Sequence, residues 1–209
     1  MEKIRDLETI IIEADEPVQK IMFVFHGYGA DNENVAPLGV EIAKNRPDIE
    51  IYVPNGVKKC EDNDGRQWFS FREPHPESYK KNEKIIQSYI DGILARKKMK
   101  YADVIFCGFS QGAMVSLTLG LKLGVDMIIS FAGSVVLGEY PTVPNSRNTK
   151  VAMLHGKHDN IVPFSLVEQS IDIIRSNGTP VHFGLDKDAG HVITEDMLHT
   201  ARTFFEKYA

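Results

Sequence analysis

Cysteine is scarce in this chain of 209 residues, with only Cys60 and Cys107 present. Two are too few for a disulfide-stapled secreted scaffold, and they fit a reducing compartment, so the cytoplasm is the expected location. Long apolar runs are also missing. Stretches such as Ile21 to Phe25 fall far short of the roughly 20 residues that span a bilayer, so no stable membrane insertion is expected. The N-terminal segment carries Glu2, Lys3, Arg5, Asp6, Glu8 and Glu13, which leaves no room for the apolar core of a signal peptide. Basic charge is not in excess either. The 24 Lys and Arg against 29 Asp and Glu leave a net charge of −5, which argues against the concentrated basic surface that a nucleic-acid partner needs. No repeat, low-complexity tract or Pro/Gly-rich linker divides the sequence, and its length suits one domain over residues 1–209. What remains is ordinary globular composition, 43% hydrophobic and 25% charged, enough to build a core without a metal or disulfide staple.

Short apolar runs alternate with longer amphipathic ones. Lys20–Phe25, Ile49–Val53, Asp103–Cys107, Met127–Phe131, Val151–Leu154 and Val181–Gly184 read as central parallel strands, apolar on both faces because helices cover both sides. Helical spacing runs through Ala36–Lys44, Asn82–Lys98, Gln111–Leu123, Phe164–Ser176 and Thr194–Tyr208. In the second of these, Ile85, Ile86, Tyr89, Ile90, Ile93 and Leu94 share one face. This alternation predicts an α/β fold: a mostly parallel central sheet, helices on both faces and no large lid domain. Leu7–Ile12, joined to Lys20–Phe25 by a short turn, is expected as an antiparallel strand at the N-terminal edge. Ligands of such sheets bind beyond the carboxyl ends of the strands.

The sharpest chemical signal lies at one of those ends. Val104 to Ala113 reads strand, then Gly108-Phe109-Ser110-Gln111-Gly112, then helix. A nucleophile elbow has this form: the serine sits on a strained turn, flanked two residues either side by glycines where strand and helix approach. A serine needs a base, and the base needs an acid to orient it. Asp159 follows Val151–Leu154 and His191 follows Val181–Gly184, each in the loop after a strand and in the order Ser, Asp, His. An oxyanion hole would take one amide from Gln111 and a second from the loop His26-Gly27-Tyr28-Gly29, where Tyr28 N–H is the candidate. Taken singly, Asp159 reads better as an N-cap or Asx-turn residue and His191 as a surface-loop histidine, and the elbow glycines compete with a plain tight turn; the joint arrangement favours the triad. His155 and His158 beside Asp159 lack further converging ligands, so no metal is expected. Cys107, at the strand end, reads as a small buried apolar residue.

These blocks resemble the phospholipase/carboxylesterase family of the α/β-hydrolases, which includes acyl-protein thioesterases and small bacterial carboxylesterases. The matching residues are His26-Gly27-Tyr28-Gly29, Gln67-Trp68-Phe69, Gly108 to Gly112, His155-Gly156 through Asp159 to Val162-Pro163, and Gly190-His191-Val192-Ile193, in that order. The chain departs from the family pattern at Ala113 and Ser70. The resemblance implies Ser110 as nucleophile, Asp159 as orienting acid, His191 as base, and Tyr28 and Gln111 as oxyanion donors. It implies a cofactor-free carboxylesterase for small to medium acyl chains. The alternatives are an acyl-protein thioesterase or lysophospholipase using the same triad and, outside enzymes, a catalytically silent binding module. Partners would be small ester or thioester substrates, acylated protein or lysolipid. In this family the region matching Lys58–Lys81 helps wall the acyl site, which implies Trp68 and Phe69 as substrate-binding residues. The competing reading is that Trp68 simply pins that loop to the core.

Overall fold

Alternation along one strand sets the layers of the molecule. In β2 (Lys20–Phe25), Ile21, Phe23 and Phe25 join one apolar cluster, and Met22 and Val24 join another, because successive side chains of a strand leave on opposite faces. The computed structural model describes residues 7–73, 75–136 and 148–209; the first six residues of the charged N-terminal segment lie outside them. Seven strands form the central sheet: β1 (Thr9–Ile12), β2, β3 (Ile49–Pro54), β6 (Val104–Phe109), β7 (Met127–Phe131), β8 (Lys150–Gly156) and β9 (Val181–Asp186). Their spatial order is β1-β3-β2-β6-β7-β8-β9, parallel throughout except for β1. A two-residue hairpin, β4 (Lys58–Lys59) with β5 (Arg66–Gln67), stands apart.

Helices α2 (His75–Lys97), α3 (Gln111–Leu123) and α4 (Phe164–Ser176) cover the face of Phe23 and Phe106, while α1 (Asn32–Ala43) and α5 (Glu195–Tyr208) cover the face of Met22 and Val24. Cys107 belongs to the second cluster, and burial pushes its thiol up to about 12, so it serves as a small apolar filler. Among the described residues no helix is long and apolar enough to cross a membrane.

One strand pairing and two helix starts depart most from the sequence reading. The antiparallel edge strand β1 pairs with β3, Ile10 opposite Val53, and not with β2, the strand it precedes. Residues 21–25 are fully buried and take a strand neighbour on each side, whereas β1, with Ile11 half exposed, suits a sheet edge. Helix α1 starts four residues earlier than its apolar spacing, at Asn32 and not Ala36. Asp31 caps it: its carboxylate accepts from the Asn34 amide at 3.0 Å while the Asn34 side chain accepts from the Asp31 amide at 3.1 Å. Helix α2 starts seven residues early, because Tyr79 is buried and two polar side chains turn inward. Ser78 Oγ accepts from the Ser70 amide at 2.6 Å, and Asn82 Nδ2 donates to the Trp68 carbonyl at 2.8 Å.

At the carboxyl end of the sheet, α3 leaves β6 so sharply that Gly112 packs on the Phe25 carbonyl and Gly108 packs on Gly112. A side chain at either position would meet backbone, which cannot step aside. Gly112→Ala is therefore expected to lower stability by about 3 kcal/mol, read as a lower denaturant midpoint at unchanged slope.

Candidate active site

Ser110 occupies the turn between β6 and α3 with φ 54° and ψ −119°. A positive φ at a residue with a Cβ costs of order 1–3 kcal/mol and persists only where neighbours enforce it. Here the Ser110 amide donates to the Phe131 carbonyl at 2.9 Å, and the Met114 amide donates to the Ser110 carbonyl at 3.0 Å, closing the first turn of α3. The strained backbone lifts the hydroxyl above the sheet.

Two further loops meet it. The one after β8 carries Asp159, and the one after β9 carries His191. Backbone bonds stitch them together: Lys157 N–H to the Asp186 carbonyl at 2.8 Å and His158 N–H to the Ala189 carbonyl at 2.9 Å. Asp186 shapes the second loop from within, its carboxylate accepting the amides of Asp188 and Ala189 and the Thr194 hydroxyl. His191 Nδ1 then lies 2.7 Å from Asp159 Oδ2, and His191 Nε2 lies 2.9 Å from Ser110 Oγ. An ionised carboxylate only accepts, so Nδ1 carries the imidazole proton and Nε2 is left to accept from the serine. The Asp159 side chain is fully buried and that of His191 is 18% exposed. Burial alone would raise the Asp159 carboxyl. The hydrogen bonds from His191 and from the Val162 and Ile161 amides, at 2.8 and 2.9 Å, outweigh it and hold the group below the usual carboxylate range.

The loop 26–30 follows β2 and is laced to the hairpin by Gly29 N–H to Arg66 O at 2.9 Å and Arg66 N–H to Ala30 O at 2.8 Å. It passes over the elbow: a Cβ built on Gly27 would stand 3.4 Å from Ser110 Cβ. Tyr28 follows directly, and Gln111 is the first residue of α3, whose amide is free of the helix ladder. The five residues Ser110, Asp159, His191, Tyr28 and Gln111 are thus gathered at one end of the sheet. Trp68 and Phe69 are not at its surface. Both rings are completely buried, so neither forms the wall expected of the 58–81 loop, and the pinning reading of Trp68 describes its position. Phe71, by contrast, is 39% exposed and packs against Tyr28 at 4.8 Å between centroids.

Residues 7–209 match the phospholipase/carboxylesterase family. The chain belongs to that family. Among curated relatives, esterase YpfH of Escherichia coli strain K12 is 23% identical over 200 residues, covering 92% of this chain and 84% of its own. Acyl-protein thioesterase 1 of Gibberella zeae is 29% identical over 133 residues, 59% of this chain and 53% of that one. The crystal structure of esterase PE8 superposes with a TM-score of 0.88 at 26% identity, over 97% of this chain and 99% of that chain. This family member is a serine hydrolase with the α/β-hydrolase fold, an enzyme of the carboxylesterase type.

The sequence reading named His155 and His26 but gave neither a role in the site. His155, buried below Asp159, directs Nε2 at the Val162 carbonyl, 3.0 Å away, and stands 3.7 Å from Asp159 Oδ2, beyond hydrogen-bond reach. His26, also fully buried, accepts the Gly56 amide on Nε2 at 2.9 Å, so its Nδ1–H donates to the Gly27 carbonyl at 2.7 Å. The adjacency of each to Gly27 and Gly156 was visible; the packing that gives them work was not. Burial lowers the pKa of both. The unfolded chain therefore takes up protons below its ordinary histidine value while the native state resists, and stability falls as pH drops through that range. Between pH 7.5 and 5.5 the denaturant midpoint should decline, each histidine contributing a slope of at most about 1.4 kcal/mol per pH unit. His26→Gln should flatten that slope.

Proposed function

We propose that Ser110 is the nucleophile of an ester hydrolysis that runs through an acyl-enzyme. His191 Nε2 takes the proton as Ser110 Oγ attacks the carbonyl carbon. Asp159 holds the imidazole in the Nδ1–H form and stabilises the imidazolium that results. The amides of Tyr28 and Gln111 receive the oxyanion of the tetrahedral intermediate. The imidazolium returns its proton to the departing alkoxide, the acyl group stays on Ser110, and a water activated by His191 releases it as the acid. The observation that carries this reading is the hydrogen-bonded chain from Ser110 Oγ through His191 to the buried Asp159.

The substrate class we propose is carboxylic esters with small to medium apolar acyl groups. Large apolar side chains stand exposed beside the machinery: Ile161 after Asp159, Val192 after His191 and Phe71 against Tyr28. The similarity to an acyl-protein thioesterase over part of the chain supports a second reading, with thioesters or lysolipids as substrates of the same triad. We further infer one domain over residues 1–209 and a cytoplasmic location, the latter from two free thiols, Cys60 and Cys107.

Hydrolysis of p-nitrophenyl esters from acetate to palmitate tests both the chemistry and the acyl length. Ser110→Ala should remove about 1000-fold or more of kcat while the protein stays folded. More than a tenth of the activity surviving would remove Ser110 from the role. Asp159→Asn should cost on the order of 10⁴-fold through the wrong imidazole tautomer. A maximum at short chains supports the carboxylesterase reading, and a maximum at long chains, with faster turnover of the matching thioesters, supports the thioesterase one.

A further inference from the structure

The two amides proposed to bind the oxyanion come from separate parts of the chain, and the strand pairing that precedes them stops short. The ladder between β2 and β6 ends at Phe25 opposite Gly108. Tyr28 lies three residues past one strand partner and Gln111 three past the other. Their separation must therefore be held by something other than the sheet.

Side chains bridge the gap. Gln111 grips the backbone of the 68–69 segment with both ends of its amide: Oε1 accepts from Trp68 N–H at 2.8 Å and Nε2 donates to the Phe69 carbonyl at 2.8 Å. The Trp68 indole N–H donates in turn to the His26 carbonyl at 2.9 Å. The His26 ring then closes on the next carbonyl, Nδ1–H to Gly27 O at 2.7 Å. That carbonyl and the Tyr28 amide belong to one planar peptide unit, so fixing the carbonyl on one side aims the N–H to the other. From below, Asn82 Nδ2 holds the Trp68 carbonyl at 2.8 Å. Gln111, Trp68 and His26 are all completely buried, where such bonds are strong and water does not compete for them. The indole packs edge-on against Phe25 at 5.2 Å and beside the His26 ring at 5.1 Å between centroids.

We propose that Trp68, clamped by the Gln111 side chain and bonded to His26, is a positioning residue that sets the spacing and aim of the two oxyanion amides. This rests on the reading of Ser110, Tyr28 and Gln111 given above. Trp68 touches no substrate; it acts through the peptide that precedes Tyr28. The side chain of Gln111 has the same duty, separate from that of its own backbone amide.

Two substitutions test the relay with p-nitrophenyl butyrate as substrate. Trp68→Phe keeps an aromatic ring and removes the indole N–H; Gln111→Met keeps the length and the backbone amide and removes both side-chain bonds. Each should lower kcat by about 10- to 100-fold, less than the 100- to 1000-fold that follows outright loss of a donor. KM should stay within about twofold, and the pH midpoint of kcat/KM should not move, because His191 and Asp159 are untouched. Affinity for an aryl trifluoromethyl ketone, whose hemiketal oxyanion needs the same amides, should fall in proportion to kcat. Trp68 is the only tryptophan, so its emission in Gln111→Met reports whether the ring is still buried and keeps the test valid should Trp68→Phe fail to fold. A normal kcat and ketone affinity in Gln111→Met, with only the melting temperature lowered, would overturn the relay. Turnover by the parent that is independent of Ser110 would instead overturn the hydrolase reading and the relay with it.

Discussion

The close packing of Gly112 on the carbonyl of Phe25 is the contact from which the rest of the site follows. It lets the first turn of α3 rest directly on the end of β2, a separation that a single methyl group would abolish. Because α3 must leave β6 at that angle, Ser110 is driven to a positive φ, and its hydroxyl stands clear of the sheet. The same geometry brings the Gln111 side chain within hydrogen-bond reach of the Trp68–Phe69 backbone. The proposed nucleophile and both oxyanion candidates thus depend on one absent side chain. Ala113 fits because Gly133 faces it.

Around that contact the site is built from buried polar groups that have found partners. Asp159 gives up its hydration and receives two amides and an imidazole in return. Without them its burial would favour the neutral acid, which could not hold His191 in the required tautomer. His26 is similar: both ring nitrogens are engaged with backbone, so it remains neutral and rigid. Such networks are costly when half satisfied and stiff when complete. In the proposed mechanism the benefit is preorganisation, since donors already aimed at a developing charge need not reorganise as it forms.

Much of this was legible in the chain. All six parallel strands announced themselves as apolar runs, five because a central parallel strand is buried on both faces; the sixth, β9, is instead the sheet edge and mostly half-buried. Helices α3 and α4 matched their hydrophobic periodicity to the residue. The elbow was legible because its strain demands glycines at fixed offsets from Ser110. The early starts of α1 and α2 were not, because they depend on a capping box at Asp31 and on Ser78 and Asn82 bonding the 68–70 segment from a distance. The pairing of β1 with β3 was hidden for a related reason: chain proximity favoured β2, but β2 had two better-buried neighbours available.

The sequence by itself determined the fold class and the chemical identities of the candidate triad, because burial periodicity and turn stereochemistry are local properties written in residue type and spacing. Only the tertiary structure decided where Trp68, His26 and the Gln111 side chain lie and what they bond. A tryptophan in a long polar loop reads first as a substrate wall and second as a core plug. Its bonding is set by which donors and acceptors stand within 3 Å once distant segments pack, and no spacing along the chain encodes that distance.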